Sequence, residues 1–344
     1  MHSAQGRRTP RRAGALSFVV PVLRIILAIA AVWALRRELS GVRIDSLMTR
    51  VSAYGWRHLA FGAACTAGSF LVLGLVEFLA LRHADNASGA RIRVRIALGT
   101  AFVANAMSQS VGIALLTGAA VRARAYARHG LDAIAVAQVT AFVTITATVG
   151  LLAAGAVALL ASPSPVMIGR TAIAVRPLGL LLGAGVFAYL AWSIVVRRNS
   201  IGVGRWRLVR PSPGLAMSQV VLSTTDWLLA GAVLFAFMPS SLNLDLPTVL
   251  GAYVIAQVVA VTSHVPAGAG VFELVVLSLL MRLLASTDRA AVVAALVMFR
   301  VLYYLVPLCI AILGAATVEL ARVRRSRERR RDVSYAELGT NNAG

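Results

Sequence analysis

The chain has 344 residues, 59% of them hydrophobic, with a mean hydropathy of +0.80. Thirty-four basic residues, all arginine, against 13 acidic ones give a formal net charge of +21. This composition excludes a soluble globular enzyme: several apolar runs reach about 20 residues, the length that crosses a bilayer as a helix, and the arginines flank those runs, which the positive-inside rule explains without nucleic acid as a partner.

In chain order, MHSAQGRRTPRRAGALSFVV reads as a basic cytoplasmic N-terminus, 1–15, leading into an apolar helix. The run reaches about Leu35, longer than the apolar part of a cleaved signal peptide, and predicts an uncleaved first span over 16–35. Further spans are predicted near 59–81, 131–160, 177–196, 217–238 and 290–318. Two more apolar stretches, 97–121 and 248–284, are interrupted. The first holds NAMSQSVGIALLTGAAVRARAY, with Gly112 and Gly118 in mid-run. The second holds HVPAGAGVFELVVL, where Pro266, Gly268 and Gly270 precede a glutamate. The basic tail, 321–344, reads as disordered, cytoplasmic and attracted to anionic lipid. Cys65 and Cys309 both fall in apolar runs and form no disulfide framework or CxxC motif. The five histidines are scattered, with no HExxH pattern, so no metal or cofactor is expected and no constellation points to an enzyme.

The two interrupted stretches resemble each other. LGTAFVANAMSQSVG (98–112) and LGAYVIAQVVAVTSH (250–264) each give an apolar helix, an amide near its middle and then a break, a weak internal repeat of the transporter kind. If both stretches are re-entrant hairpins, the arginines outside the spans divide 23 cytoplasmic to 9 outer. If both cross, the division is 17 to 15. The positive-inside rule selects the hairpins, although five arginines in 36–58 then lie outside. The expected fold is therefore an all-α polytopic membrane protein, with about six spanning helices and two re-entrant hairpins in an inverted repeat. Irregular backbone at membrane depth is tolerated where protein buries it or where it lines a wet cavity.

The motifs LRRELSG (35–41), VRARAY (121–126), TDWLLA (225–230), VPAGAGVFELVVL (265–277) and FRVLYYLVP (299–307) occur in the order of one known family. Over about residues 16–320 the chain resembles the membrane flippase domain of lysylphosphatidylglycerol synthases, a domain that stand-alone flippase-like proteins share. It departs from the family pattern at Ala267-Gly268, where Gly-Gly is usual, and at GIALLTGAA, where the family has a Gly-rich, aromatic break. With no soluble aminoacyl-transfer domain read after the basic tail, the synthase activity is not carried over. The resemblance implies translocation of a lipid, a phospholipid or an aminoacylated one, in a bacterial cytoplasmic membrane; the arginine count puts both termini on the cytoplasmic side. Membrane lipids and a separate lipid-modifying enzyme are the partners it implies. The alternative is a non-transporting scaffold or accessory subunit of a lipid-modifying or glycosyl-transferring enzyme. The oligomeric state is not legible.

Six residues are candidates to bind substrate: Glu77, Arg122, Asp226, His264, Glu273 and Arg300. Intramembrane acids are functional candidates because burying an unpaired carboxylate is costly. Glu77 lies four residues from the loop at Leu81, where it can snorkel. Asp226 is about nine residues into its helix and matches the family's acid before Trp. Glu273 follows the Pro-Gly break, where it stabilises a helix N-terminus by about 0.3–1 kcal/mol if exposed or takes a cationic head group or proton. His264 ends the preceding half-helix and suits its C-terminal dipole. Arg122 follows the first hairpin and is explained as a topology determinant; the family match also makes it a candidate to hold a lipid phosphate, since a guanidinium grips phosphate bidentately. Arg300, in mid-span, is expected to pair with Glu273, Asp226 or Glu77, or with substrate phosphate. Asn105, Gln109 and Gln257 are expected to bond backbone freed at the breaks. Tyr303 and Tyr304 are read by default as core packing, and with Pro307 they suggest a kink.

Overall fold

The computed structural model describes residues 44–88, 92–111, 114–162, 166–168, 171–173, 175–195, 200–203, 206–263, 265–280 and 289–317. The predicted span 16–35, Gly112, His264 and the tail lie outside them.

The chain is an all-α polytopic membrane protein. Six helices have the length and composition to cross a bilayer: Trp56–Ala84, Ala133–Ala161, Val175–Val195, Pro213–Ala236, Leu246–Ser263 and Arg289–Thr317. In chain order the helices are α1 (Ile44–Ser52), α2 (Trp56–Ser88), α3 (Val94–Val111), α4 (Ala114–Tyr126), α5 (Ala133–Ala161), α6 (Val175–Val195), α7 (Pro213–Ala236), α8 (Leu246–Ser263), α9 (Val271–Leu280) and α10 (Arg289–Thr317). Five of the six predicted spans therefore have counterparts here. The sixth long helix, α8, is the first arm of the second interrupted stretch. At 10 residues, α9 is too short to cross, since a helix rises about 1.5 Å per residue.

Helix starts are written locally. Asp132 caps α5, its side chain accepting from the Ala135 N–H at 2.7 Å. Ser212 caps α7 ahead of Pro213, which needs no N–H partner at a first-turn position. Tyr54 closes the corner between α1 and α2 by donating to the Phe237 carbonyl at 2.7 Å, and burial pushes its phenol up to about 12.

Two connectors hold short β-ribbons that the sequence reading did not anticipate: β1 (Val166–Ile168) with β2 (Thr171–Ile173), and β3 (Ser200–Val203) with β4 (Trp206–Val209), both antiparallel. Each pair of strands is joined by a Gly-Arg dipeptide, and glycine first in a two-residue loop is a hairpin signal.

α7 is the hub, packed on α2, α5 and α8. Lipid supplies little apolar drive between helices, so close approach of small residues does the work. A β-carbon on Gly150 of α5 would lie 2.1 Å from the Ser223 hydroxyl of α7, so only glycine admits that contact. One core gathers residues of α7 to α10, including Leu234, Tyr253, Phe272 and Phe299. A second gathers α2, α4 and α5 around Leu81, Tyr126 and Val139. α3 and α4 pack on each other as one helical hairpin, and α8 and α9 as another. α3 also touches the Pro266–Gly268 turn between α8 and α9 and the Arg300–Leu305 segment of α10, so the two hairpins meet.

Candidate functional site

The break after α8 is a 3-10 turn over Pro266–Gly268, closed by Gly268 N–H to the Val265 carbonyl at 2.9 Å. Gly268 and Gly270 have φ of 58° and 80°, the left-handed region open to glycine. A β-carbon on Gly268 would also lie 2.7 Å from that of Ala260. Ala267, where the family pattern has glycine, adopts φ 54° as well. A left-handed L-residue costs about 1–2 kcal/mol.

This turn frees carbonyls from helical bonding, and Arg300 takes them up. Its Nη1 donates to the Ala267 carbonyl at 2.8 Å and its Nη2 to that of Gly268 at 3.4 Å. Its Nε donates to Glu273 Oε1. The other carboxylate oxygen, Oε2, accepts from the Gly270 N–H at 2.8 Å, one half of a capping box. The guanidinium lies over Tyr304 at 4.7 Å and Phe272 at 5.4 Å from the ring centres, a cation–π setting. The pair is partly accessible: 22% of the Arg300 side chain and 13% of the Glu273 side chain are exposed.

Arg300 opens a π-helical turn, Arg300–Leu305, within α10. Pro307 explains it, because proline has no N–H for the Tyr303 carbonyl four residues back. The Val306 N–H accordingly reaches the Val301 carbonyl, five residues back. The same turn presents Tyr303, whose hydroxyl lies 2.8 Å from Ser69 Oγ. Ser69 donates to Asp226 Oδ1, so Tyr303 donates to Ser69. The π turn thus gathers two of the predicted acids, Glu273 through Arg300 and Asp226 through Tyr303 and Ser69.

Glu77 is elsewhere and does not snorkel. It is fully buried, and Arg122 of α4 grips it with Nε at 2.9 and 3.0 Å and Nη2 at 2.7 Å. The Tyr126 hydroxyl adds a bond to Oε1 at 2.8 Å. Both charges therefore sit inside the second core, satisfied by each other. Gly118 does not break a helix. It lies within α4, where a β-carbon would come 2.6 Å from Ser108 Oγ of α3 and 3.0 Å from Arg122 Nη1, so its role is close packing. Asn105 donates to the Ala101 carbonyl of its own helix, and Gln257 donates to the Tyr253 hydroxyl rather than to the broken backbone. The Gln109 carbonyl oxygen is buried without a partner among the described residues.

Sequence reasoning missed Ser69 and Tyr126. Tyr126 carried a signal, since it follows Arg122 by four residues and so shares its helix face. Ser69, inside an apolar run, carried none. His83, Gln219 and Trp192 were also passed over; they line a cavity between α2, α5, α6 and α7.

The family described as "Lysylphosphatidylglycerol synthase TM region" matches residues 21–311. Protein slr0712 of Synechocystis is 31% identical over 83% of this chain and 91% of its own length. Inner membrane protein YbhN of Escherichia coli is 27% identical over 71% of this chain and 75% of its own. A phosphatidylglycerol lysyltransferase of Staphylococcus haemolyticus is 24% identical over 87% of this chain but only 34% of its own.

Proposed function

The chain belongs to the lysylphosphatidylglycerol synthase TM region family, and we propose that it translocates a phospholipid or aminoacylated phospholipid between the leaflets of a bacterial cytoplasmic membrane. The observation that carries this reading is the partly accessible Glu273–Arg300 pair at the broken α8–α9 hairpin. A phospholipid head group brings a phosphate, and an aminoacylated one also brings an ammonium. A carboxylate and a guanidinium side by side exchange partners with both charges, phosphate to Arg300 and amine to Glu273. The head group then passes a low-dielectric region without an uncompensated charge, while its acyl chains stay in lipid. In this reading the two hairpins re-enter from opposite faces, both termini are cytoplasmic, and Asp226 faces the same path through the π turn.

Purified protein in liposomes carrying fluorescent or lysylated phosphatidylglycerol tests the reading by quenching or back-extracting the outer-leaflet probe. Wild type should randomise the probe. Glu273→Gln and Arg300→Gln should slow it at least about tenfold, the effect of ~1.4 kcal/mol on a barrier. Equal rates in all three would reject the site.

A second reading rests on the lysyltransferase match. In that relative the shared region is joined to other sequence, since the match covers 34% of it. On this view the chain is a membrane scaffold or accessory subunit for a separate lipid-modifying enzyme. Co-purification of such an enzyme, with no lipid movement by the chain alone, would favour it.

A further inference from the structure

The cavity between α2, α5, α6 and the start of α7 belongs to neither ion pair. It encloses about 190 Å³ and is mainly apolar, with Ala84 and Phe142 on its inner wall and Tyr189 and Trp192 on the α6 side. Gln219 braces it, accepting from the Tyr189 hydroxyl and donating to the Thr146 hydroxyl, both at 2.6 Å. Its lining comes from the C-terminal turns of α2 and α6 and the N-terminal turns of α5 and α7, so it lies at one end of the bundle. At that end the described residues of 82–95 and 197–210 include five arginines, Arg82, Arg93, Arg95, Arg207 and Arg210. Only 11% of the α6 span is buried, so its outer face meets lipid.

Arg210 stands at the mouth. It is the chain neighbour of the lining residue Pro211, and its Nη1 donates at 2.7 Å to the carbonyl of Ser193, the neighbour of Trp192. A guanidinium has five N–H donors, so this bond leaves others for an anion. Tyrosine and tryptophan at the rim are the residues that membrane–water interfaces favour.

We propose that this cavity holds one acyl chain of an anionic phospholipid whose phosphate rests on Arg210. At roughly 30 Å³ per water-sized group, the volume takes about six methylenes. Its lining is mainly apolar and suits a hydrocarbon tail, so the phosphate stays outside at the basic mouth. A lipid seated here is a resident of one leaflet and need not be the lipid moved, so the site stands independently of the proposed translocation.

The full-length chain in phosphatidylcholine nanodiscs tests this with two photoactivatable lipids, phosphatidylglycerol and phosphatidylcholine, each bearing a diazirine in one tail. After photolysis, labelled peptides are mapped by mass spectrometry. Phosphatidylglycerol should label the peptides holding Phe142 and Trp192 about fivefold more than phosphatidylcholine does, the gain of one basic contact. Arg210→Gln should abolish that preference. Ala84→Phe, which fills the cavity, should remove both labels there and leave labelling of the outer faces unchanged. Equal labelling by the two lipids in wild type, or labelling that Ala84→Phe does not move, would overturn the proposal. Should Ala84→Phe fail to fold, Arg210→Gln decides alone, and a preference that survives it sinks the idea. Glu273→Gln should label as wild type does whatever its effect on lipid movement, which separates failure here from failure of the translocation reading.

Discussion

The Glu77–Arg122 and Glu273–Arg300 pairs use the same two residue types in different surroundings. In the first, both side chains are buried, the arginine grips both carboxylate oxygens, and Tyr126 completes the set. The Nε and Nη2 of that guanidinium both donate to Glu77, and the pair joins α4 to α2. In the second, the carboxylate shares itself between a guanidinium and a backbone N–H, and the guanidinium also holds two carbonyls of a broken helix. Part of each side chain is accessible. A sealed pair is a structural clamp, because opening it strands two charges in a dry core. A shared, accessible pair can trade one partner for another without leaving either ion bare. The resemblance makes Arg122 a candidate to hold a lipid phosphate; here its guanidinium is taken up by Glu77, whereas part of the Arg300 side chain is accessible.

The largest effect should come from breaking the clamp on one side. Glu77→Gln leaves Arg122 buried and unpaired, which costs about 3–5 kcal/mol, and should appear as a collapse of the monodisperse, folded fraction in detergent. Replacing both partners, Glu77→Leu with Arg122→Met, should recover most of that loss. A double variant no better than the single one would show that the pair is more than a clamp.

Next in size is the accessible pair. Exchanging its charges, Glu273→Arg with Arg300→Glu, should not restore lipid movement, because a glutamate at 300 cannot donate to the Ala267 and Gly268 carbonyls. Recovery in the liposome assay would mean that charge alone, and not the hold on the turn, matters. The turn itself comes third. Gly268→Ala should cost about 1–3 kcal/mol through its positive φ and its contact with Ala260, read as a lowered melting temperature in nanodiscs. Ala267→Gly should do the opposite by up to about 1 kcal/mol.

The smallest effect should be Tyr126→Phe. It removes one of the bonds to Glu77 while the arginine keeps both oxygens partnered, a loss of about 0.5 kcal/mol, the low end for a hydrogen bond. Movement per folded molecule should be unchanged. A selective loss of rate would draw the clamp into the transport path and erase the contrast between the pairs.

Much of this was legible in sequence, and the limits are physical. Length and hydropathy report membrane spans directly, so the helices near 59–81, 131–160, 177–196, 217–238 and 290–318 could be read to within several residues. The Pro-Gly break and its glutamate could be read too, because proline and left-handed glycine act locally. Partner choice could not. Glu77 and Arg122 are 45 residues apart, and nothing in either neighbourhood says which acid meets which base. Ser69 looks like any small residue in an apolar run until Asp226 and Tyr303 are brought to it. Gly118 was misread because a glycine packed against a neighbouring helix and a glycine that ends a helix look alike in one dimension.

α6 illustrates another kind of information. Leu180, Leu181, Phe187, Ile194 and Val195 all point outward, more than 60% exposed. For such positions the surrounding solvent is hydrocarbon, and any of several apolar residues satisfies it equally. Mutation can therefore exchange leucine, isoleucine, valine and phenylalanine there with little consequence, so drift at those positions says nothing about function. Val175, Gly179 and Ser193 are buried exceptions, and Tyr189 and Trp192 line the cavity. Within this helix, the few inward letters carry the message and the rest set only the medium in which it is written.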